Sequence, residues 1–185
     1  AGAGNASVPT TGSSNVLIGR RAGYLIQGDA DANTVLGTNA MSGCTTGQYN
    51  VVIGSNSMTT ANNNESKNTL VGYQAFYSMD GDEENTSNTA LGYKSGYYVG
   101  TGIQNTFLGA ATGYGVDDSG GGAGSGHLAG DANTAVGYGA GNAMQGAGHS
   151  NTYLGAAAGN VGTTAVENTC IGYNCDIEDA TATNQ

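Results

Sequence analysis

The chain has 185 residues, of which 34 are Gly, one is Pro and none is Trp, and only 38% are hydrophobic. So few large apolar residues cannot fill one round core, yet with 10% charged residues the chain lacks the highly charged signature of disorder; a thin, elongated core is the compromise. The net charge of −10, with only 4 Lys+Arg, excludes a nucleic-acid partner, whose phosphates need basic groups, and adhesion to an anionic membrane.

Taken in chain order, residues 1–14 are a lead-in, 15–176 a run of internal repeats, and 177–185 a tail. The repeat opens on Asn-[Thr/Val]-x-[Leu/Ile/Val]-Gly and occurs nine times, beginning at Asn15, Asn33, Asn50, Asn68, Asn88, Asn105, Asn133, Asn151 and Asn168. The intervals are 18, 17, 18, 20, 17, 28, 18 and 17 residues. Seven residues after each Asn stands a small residue: Ala22, Ala40, Ser57, Ala75, Ser95, Thr112, Ala140, Ala158 and Cys175. Such self-similarity at a fixed short period is the signature of a solenoid.

Each T-x-L segment is short, apolar and stopped by Gly, which reads as a strand bounded by turns. About 18 residues leave room for two short strands and two turns, and no helical periodicity runs through them. The expected fold is all-β: a β-solenoid of about nine coils of 17–20 residues, each with a strand on each of two sheets. Strand pairing at about 4.8 Å makes nine coils a rod of about 43 Å. The lead Asn belongs at a turn, where its side chain bonds locally and stacks up the ladder. The Gly four residues on permits a positive φ or a close backbone approach.

Alternation along a strand puts the residues one and three after the Asn on one face, and these are expected inside the coil. The residue two after the Asn then points outward: Leu17, Val35, Val52, Leu70, Ala90, Phe107, Ala135, Tyr153 and Cys170. None is charged. An exposed apolar stripe of this length marks an interface, so these nine residues are the expected contact between chains of an oligomer; a three-fold fibre would bury one such stripe from each chain along its axis.

The second half of each repeat is polar and variable. The 28-residue interval carries an insertion over residues 115–132, and insertions in solenoids map to surface loops. Its Asp117, Asp118 and His127, with Tyr93, Tyr97 and Tyr98, are candidate binding residues; tyrosine supplies amphipathic contact area, including for sugar rings. The acidic run Asp80, Asp82 and Glu83 is the candidate for a metal: it has oxygen ligands and a Gly that suit Ca²⁺ without the EF-hand spacing. No cofactor is required. The carboxylates lie in loops away from basic or aromatic partners, so no catalytic residue is expected and the chain is not read as an enzyme. His127 and His149 both fall in Gly/Ser loops. Cys44, Cys170 and Cys175 are too few for a disulfide framework or zinc cluster and are expected as reduced, buried thiols. No run of about 18 apolar residues would insert in a membrane.

The string N-T-x-L-G-x-x-A-G, above all NTALGYKS at Asn88 and NVVIGSNS at Asn50, resembles the left-handed β-roll repeats of trimeric autotransporter adhesin heads and of trimeric phage tail or virion fibres. The resemblance covers about Asn15 to Asp176. Adhesin heads have a shorter coil, so the repeat length looks more like the fibres. The resemblance implies a left-handed roll in a parallel homotrimer, located extracellularly, on a cell surface or on a virion. It implies a structural and adhesive role with loops offered to a cell-surface glycan or protein receptor. Two other readings of the sequence are a monomeric ligand- or ice-binding solenoid, which needs a flat Thr face, and a polysaccharide-degrading spike.

Overall fold

The computed structural model describes residues 12–61, 64–79, 87–115, 128, 130–160 and 164–177. Each repeat contributes one three-residue strand. In order these are β1 (Val16–Ile18), β2 (Thr34–Leu36), β3 (Val51–Ile53), β4 (Thr69–Val71), β5 (Thr89–Leu91), β6 (Thr106–Leu108), β7 (Thr134–Val136), β8 (Thr152–Leu154) and β9 (Thr169–Ile171). They form one parallel sheet in sequence order. The register is the repeat register throughout: Val35 faces Val52, Leu70 faces Ala90, Tyr153 faces Cys170. The chain is thus a parallel β-solenoid of about seven turns carrying nine strands.

The expected second strand of each repeat is not a sheet. Among the described residues the return side shows only isolated parallel bridges: Ser78 with Tyr98, Val99 with Leu128, and Leu128 with Gly146. Turns replace it. In each repeat the residue before the lead Asn has a left-handed φ, as at Lys67 (62°) and Ser150 (59°), and so does the residue six after it, as at Gln74 (54°) and Lys94 (52°). These local reversals close a coil without long strands.

The lead asparagines form the ladder their repetition suggests. The backbone N–H of Asn33 donates to Asn15 Oδ1 at 2.9 Å, and the same bond recurs up the stack, ending with Asn168 N–H on Asn151 Oδ1 at 3.1 Å. The amide nitrogens donate inward to carbonyls of the return side, such as Asn33 Nδ2 to Gly47 O (2.8 Å) and Asn133 Nδ2 to Gly148 O (2.8 Å). Buried amides are tolerable because both ends are bonded.

The glycine four after each Asn is dictated twice. At Gly72 φ is +146°, and an added Cβ would lie 2.1 Å from the carbonyl oxygen of Gly92 in the next turn. Only Gly lets successive turns stack that closely.

The inside and outside of the strand are the reverse of the sequence expectation. Val35, Val52, Leu70, Ala90, Phe107, Ala135, Tyr153 and Cys170 are buried within the single chain, and Leu17, in the first strand, is packed against the same core. They line the solenoid interior and cannot form a stripe between chains. The physical reason is the partner across the coil. The small residue seven after the Asn is buried too in the first eight repeats, and the two serines there bond to the next turn: Ser57 Oγ donates to Ala75 O at 2.9 Å and Ser95 Oγ to Phe107 O at 3.0 Å. A coil this thin takes one inward side chain per strand, opposite one small residue. Where that inward side chain is large, glycine makes room: a Cβ on Gly113 would meet the Phe107 ring at 2.5 Å, and one on Gly159 the Tyr153 ring at 2.4 Å.

Candidate functional site

Turning the strand over exposes a different face. Each strand now presents its first and third residues outward. The first form a row of Val16, Thr34, Val51, Thr69, Thr89, Thr106, Thr134, Thr152 and Thr169. The third form a parallel row of Ile18, Leu36, Ile53, Val71, Leu91, Leu108, Val136, Leu154 and Ile171. No member of either row is charged, and none is fully buried. Ile18 is 56% exposed, Leu91 52% and Ile171 65%. Parallel in-register pairing repeats the rows at the strand spacing, about 4.8 Å. The result is an uncharged strip with one edge of seven Thr and two Val and one aliphatic edge, running the length of the sheet.

A second cluster lies where the strand turns into the return side. The Tyr77, Tyr97 and Tyr114 rings stack nearly parallel, with centroids 5.0 and 5.1 Å apart, and Tyr98 meets Tyr97 edge-on at 4.5 Å. Tyr73 and Tyr93 stack beside them at 5.7 Å. The Lys94 ammonium lies 4.8 Å from the Tyr97 centroid and within 6 Å of those of Tyr93 and Tyr114. Desolvation opposes its charge, but the phenols of Tyr114, Tyr93 and Tyr97 outweigh that and hold the ammonium above its usual pKa. The candidates Tyr93, Tyr97 and Tyr98 are therefore brought together, but in this stack the Tyr97 face is covered by its neighbours. The arrangement reads as an aromatic staple across turns, with Tyr93 at its open edge.

The remaining sequence candidates divide by position. Asp117, Asp118 and His127, and the metal candidates Asp80, Asp82 and Glu83, lie outside the described residues. Among the described residues no three His, Cys, Asp or Glu side chains gather as metal ligands, and no helix is long and apolar enough to cross a membrane. His149 is exposed, beside Ser150.

The cysteines correct the expectation of reduced thiols. Cys170 and Cys175 form a disulfide, with Cα atoms 5.8 Å apart. They occupy the inward slots two and seven after Asn168, which are Val35 and Ala40 in β2's repeat. The bond therefore spans the coil interior at the last strand. Both slots being cysteine in one repeat was the legible signal, once the two are known to face each other. Cys44 is a buried thiol outside any disulfide; burial first, then the neighbouring Glu65 carboxyl, pushes it far above the usual range. It is an inert core residue.

Sequence reasoning missed two features. One is the outward Thr and aliphatic rows. The other is a cleft of about 440 Å³ on the return side, lined by Asp29, Thr46, Gln48, Tyr49, Asn64, Ser66 and Lys67. Comparison with protein-family models, curated proteins and solved structures finds no match to this chain.

Proposed function

We propose that this chain is a structural and adhesive fibre segment, a left-handed roll that assembles as a parallel homotrimer through the outward T-x-[Leu/Ile/Val] face. The observation that carries it is the uncharged strip left at least partly open to solvent along all nine strands in a chain of net charge −10. A solenoid so acidic, yet with no charge on this one face, is suited to cover it with its own kind. A second and third copy, parallel and in register, would set Thr rows and aliphatic rows against one another and bury them about the common axis. The acidic, variable loops then face outward toward a cell-surface glycan or protein receptor. The setting is extracellular, on a cell or virion, and the Cys170–Cys175 disulfide fits an oxidising compartment. The segment works by presentation rather than catalysis and needs no resident cofactor; a Ca²⁺ ion would find oxygen ligands in Asp80, Asp82 and Glu83.

A second reading is favoured by one observation. Seven threonines point outward in a row at the strand spacing, with Val16 and Val51 in the other two positions, and a monomeric ice-binding solenoid requires such a regular Thr face. The two readings compete for the same face, and light scattering after size exclusion separates them. A mass three times 18.3 kDa supports the fibre. A mass of 18.3 kDa, with thermal hysteresis in solution, replaces it with the ice-binding solenoid.

A further inference from the structure

We infer that the cleft between Tyr49 and Lys67 is a binding site for a neutral pyranose of a surface polysaccharide. This deepens the adhesive reading above and rests on it. Tyr49 and Lys67 occupy the same slot, immediately before the lead Asn, in successive repeats. In the other repeats that slot holds Ser14, Ala32, Ser87, Gln104, Ala132, Ser150 and Glu167, all with positive φ. The turn therefore tolerates short residues and has no need of an aromatic. Yet Tyr49 stands there, 58% exposed, with a φ of 59° that a bulky side chain rarely adopts. Unlike Tyr77, Tyr97 and Tyr114, whose faces cover one another, Tyr49 has no stacked ring among the described residues.

The floor of the cleft is held in place. The Tyr49 N–H donates to Asp31 O at 3.0 Å, the Lys67 N–H to Gln48 O at 2.8 Å, and the Gln48 N–H to Ser66 Oγ at 3.0 Å. Gln48 Nε2 donates to Asp29 O at 2.7 Å. Around this floor stand one carboxylate (Asp29), one ammonium (Lys67), two hydroxyls (Thr46, Ser66) and two amides (Gln48, Asn64). Ser66 Oγ accepts from the Gln48 N–H and donates to Asn64 O at 2.9 Å, so the rim is a polar surface already partly bonded within the chain, with one positive and one negative group. Such a rim suits a ligand that is itself a ring of hydroxyls, and an open tyrosine face suits its apolar C–H side. A volume of about 440 Å³ is of the size that holds a small ligand. A charged sugar would leave one rim charge opposed.

The test is saturation-transfer NMR on the full chain with maltohexaose, cellohexaose, chitohexaose and mannohexaose, each at about 10 mM, enough to fill a site of millimolar Kd. Transfer to at least one sugar is expected, with affinity reduced about tenfold or more in Tyr49→Ala and unchanged in Tyr77→Ala. Tyr49→Ala should fold, because Ala32 and Ala132 already fill the same slot with φ of 55°. No transfer from any of the four, or transfer unaffected by Tyr49→Ala, overturns the site. Light scattering on the same sample keeps the two claims apart. A trimer without sugar transfer overturns the site alone, and transfer to a monomer overturns the self-assembly alone.

Discussion

Tyr153 should make the protein more stable when its hydroxyl is removed. The side chain is fully buried, and its hydroxyl has no hydrogen-bond partner among the described residues. Burying a hydroxyl without a bond costs about 1–3 kcal/mol. Tyr153→Phe keeps the ring against Gly159 and deletes the orphaned group, and Phe107 already fills the equivalent slot against Gly113. The expected gain is about 1–2 kcal/mol, or about 2–8 °C in Tm for a chain of this size. Denaturant melts should show a higher midpoint at unchanged slope. A solenoid can unfold in pieces, so amide exchange at β8 and β9 should be measured as well; protection should rise there first. The pH dependence gives a second readout. Burial first, then the charge of Asp176, raises the phenol from 10.0 to about 12. A raised folded pKa means the unfolded chain loses its proton first. Stability is therefore level below pH about 10 and falls between about 10 and 12, and Tyr153→Phe should flatten that fall. A Tyr153→Phe variant less stable than the parent would refute the reasoning, because the hydroxyl must then have a partner.

Four further outcomes follow from the same geometry. Gly72→Ala, which drives a Cβ onto Gly92 O at φ +146°, should cost about 3 kcal/mol or more in chemical denaturation. Gly139→Ala, with φ +62° and nothing within 4 Å of the added Cβ, should cost only about 1 kcal/mol. Asn68→Ala should cost about 3 kcal/mol in the same assay: it removes an acceptor from the Asn88 N–H and leaves that donor buried. Reduction of Cys170–Cys175 should lower stability by about 2 kcal/mol, the loop-closure value for so short a loop, with lost amide protection confined to β9.

The period, the strand position, the asparagine ladder and the stacking glycine could all be read from the repeats, because each depends on one residue type recurring at one slot. Which side of the strand faces inward could not be read from alternation alone. A three-residue strand such as Thr34-Val35-Leu36 says that Thr34 and Leu36 share a face, not that this face is outside. The deciding information lies across the coil, in pairs that meet only because the chain turns between them: Phe107 with Gly113, Tyr153 with Gly159, Cys170 with Cys175. Residue volume at the slot two after the Asn varies from Ala90 to Tyr153, and a glycine relieves the largest members. That compensation marks a packed interior, whereas the uniform Thr and aliphatic rows mark a repeated surface. The cleft at Tyr49 was illegible for another reason. It is built from the variable halves of the repeats: Asp29, Thr46 and Asn64 share one slot, four before the lead Asn, but its residue type changes from repeat to repeat, so no recurring residue marks it.

The central claim is that the Thr and aliphatic rows, not the slots two after each Asn, join one chain to another. The most direct measurement is the light-scattering mass of the double variant Leu36→Asp, Leu91→Asp beside the parent chain, with circular dichroism to check that the solenoid persists. Both side chains are outward and about half exposed, so the fold should survive. The account predicts a parent mass three times 18.3 kDa, falling to 18.3 kDa in the variant with an unchanged spectrum. A variant that keeps the parent's threefold mass, or a parent that is already a monomer, would contradict it.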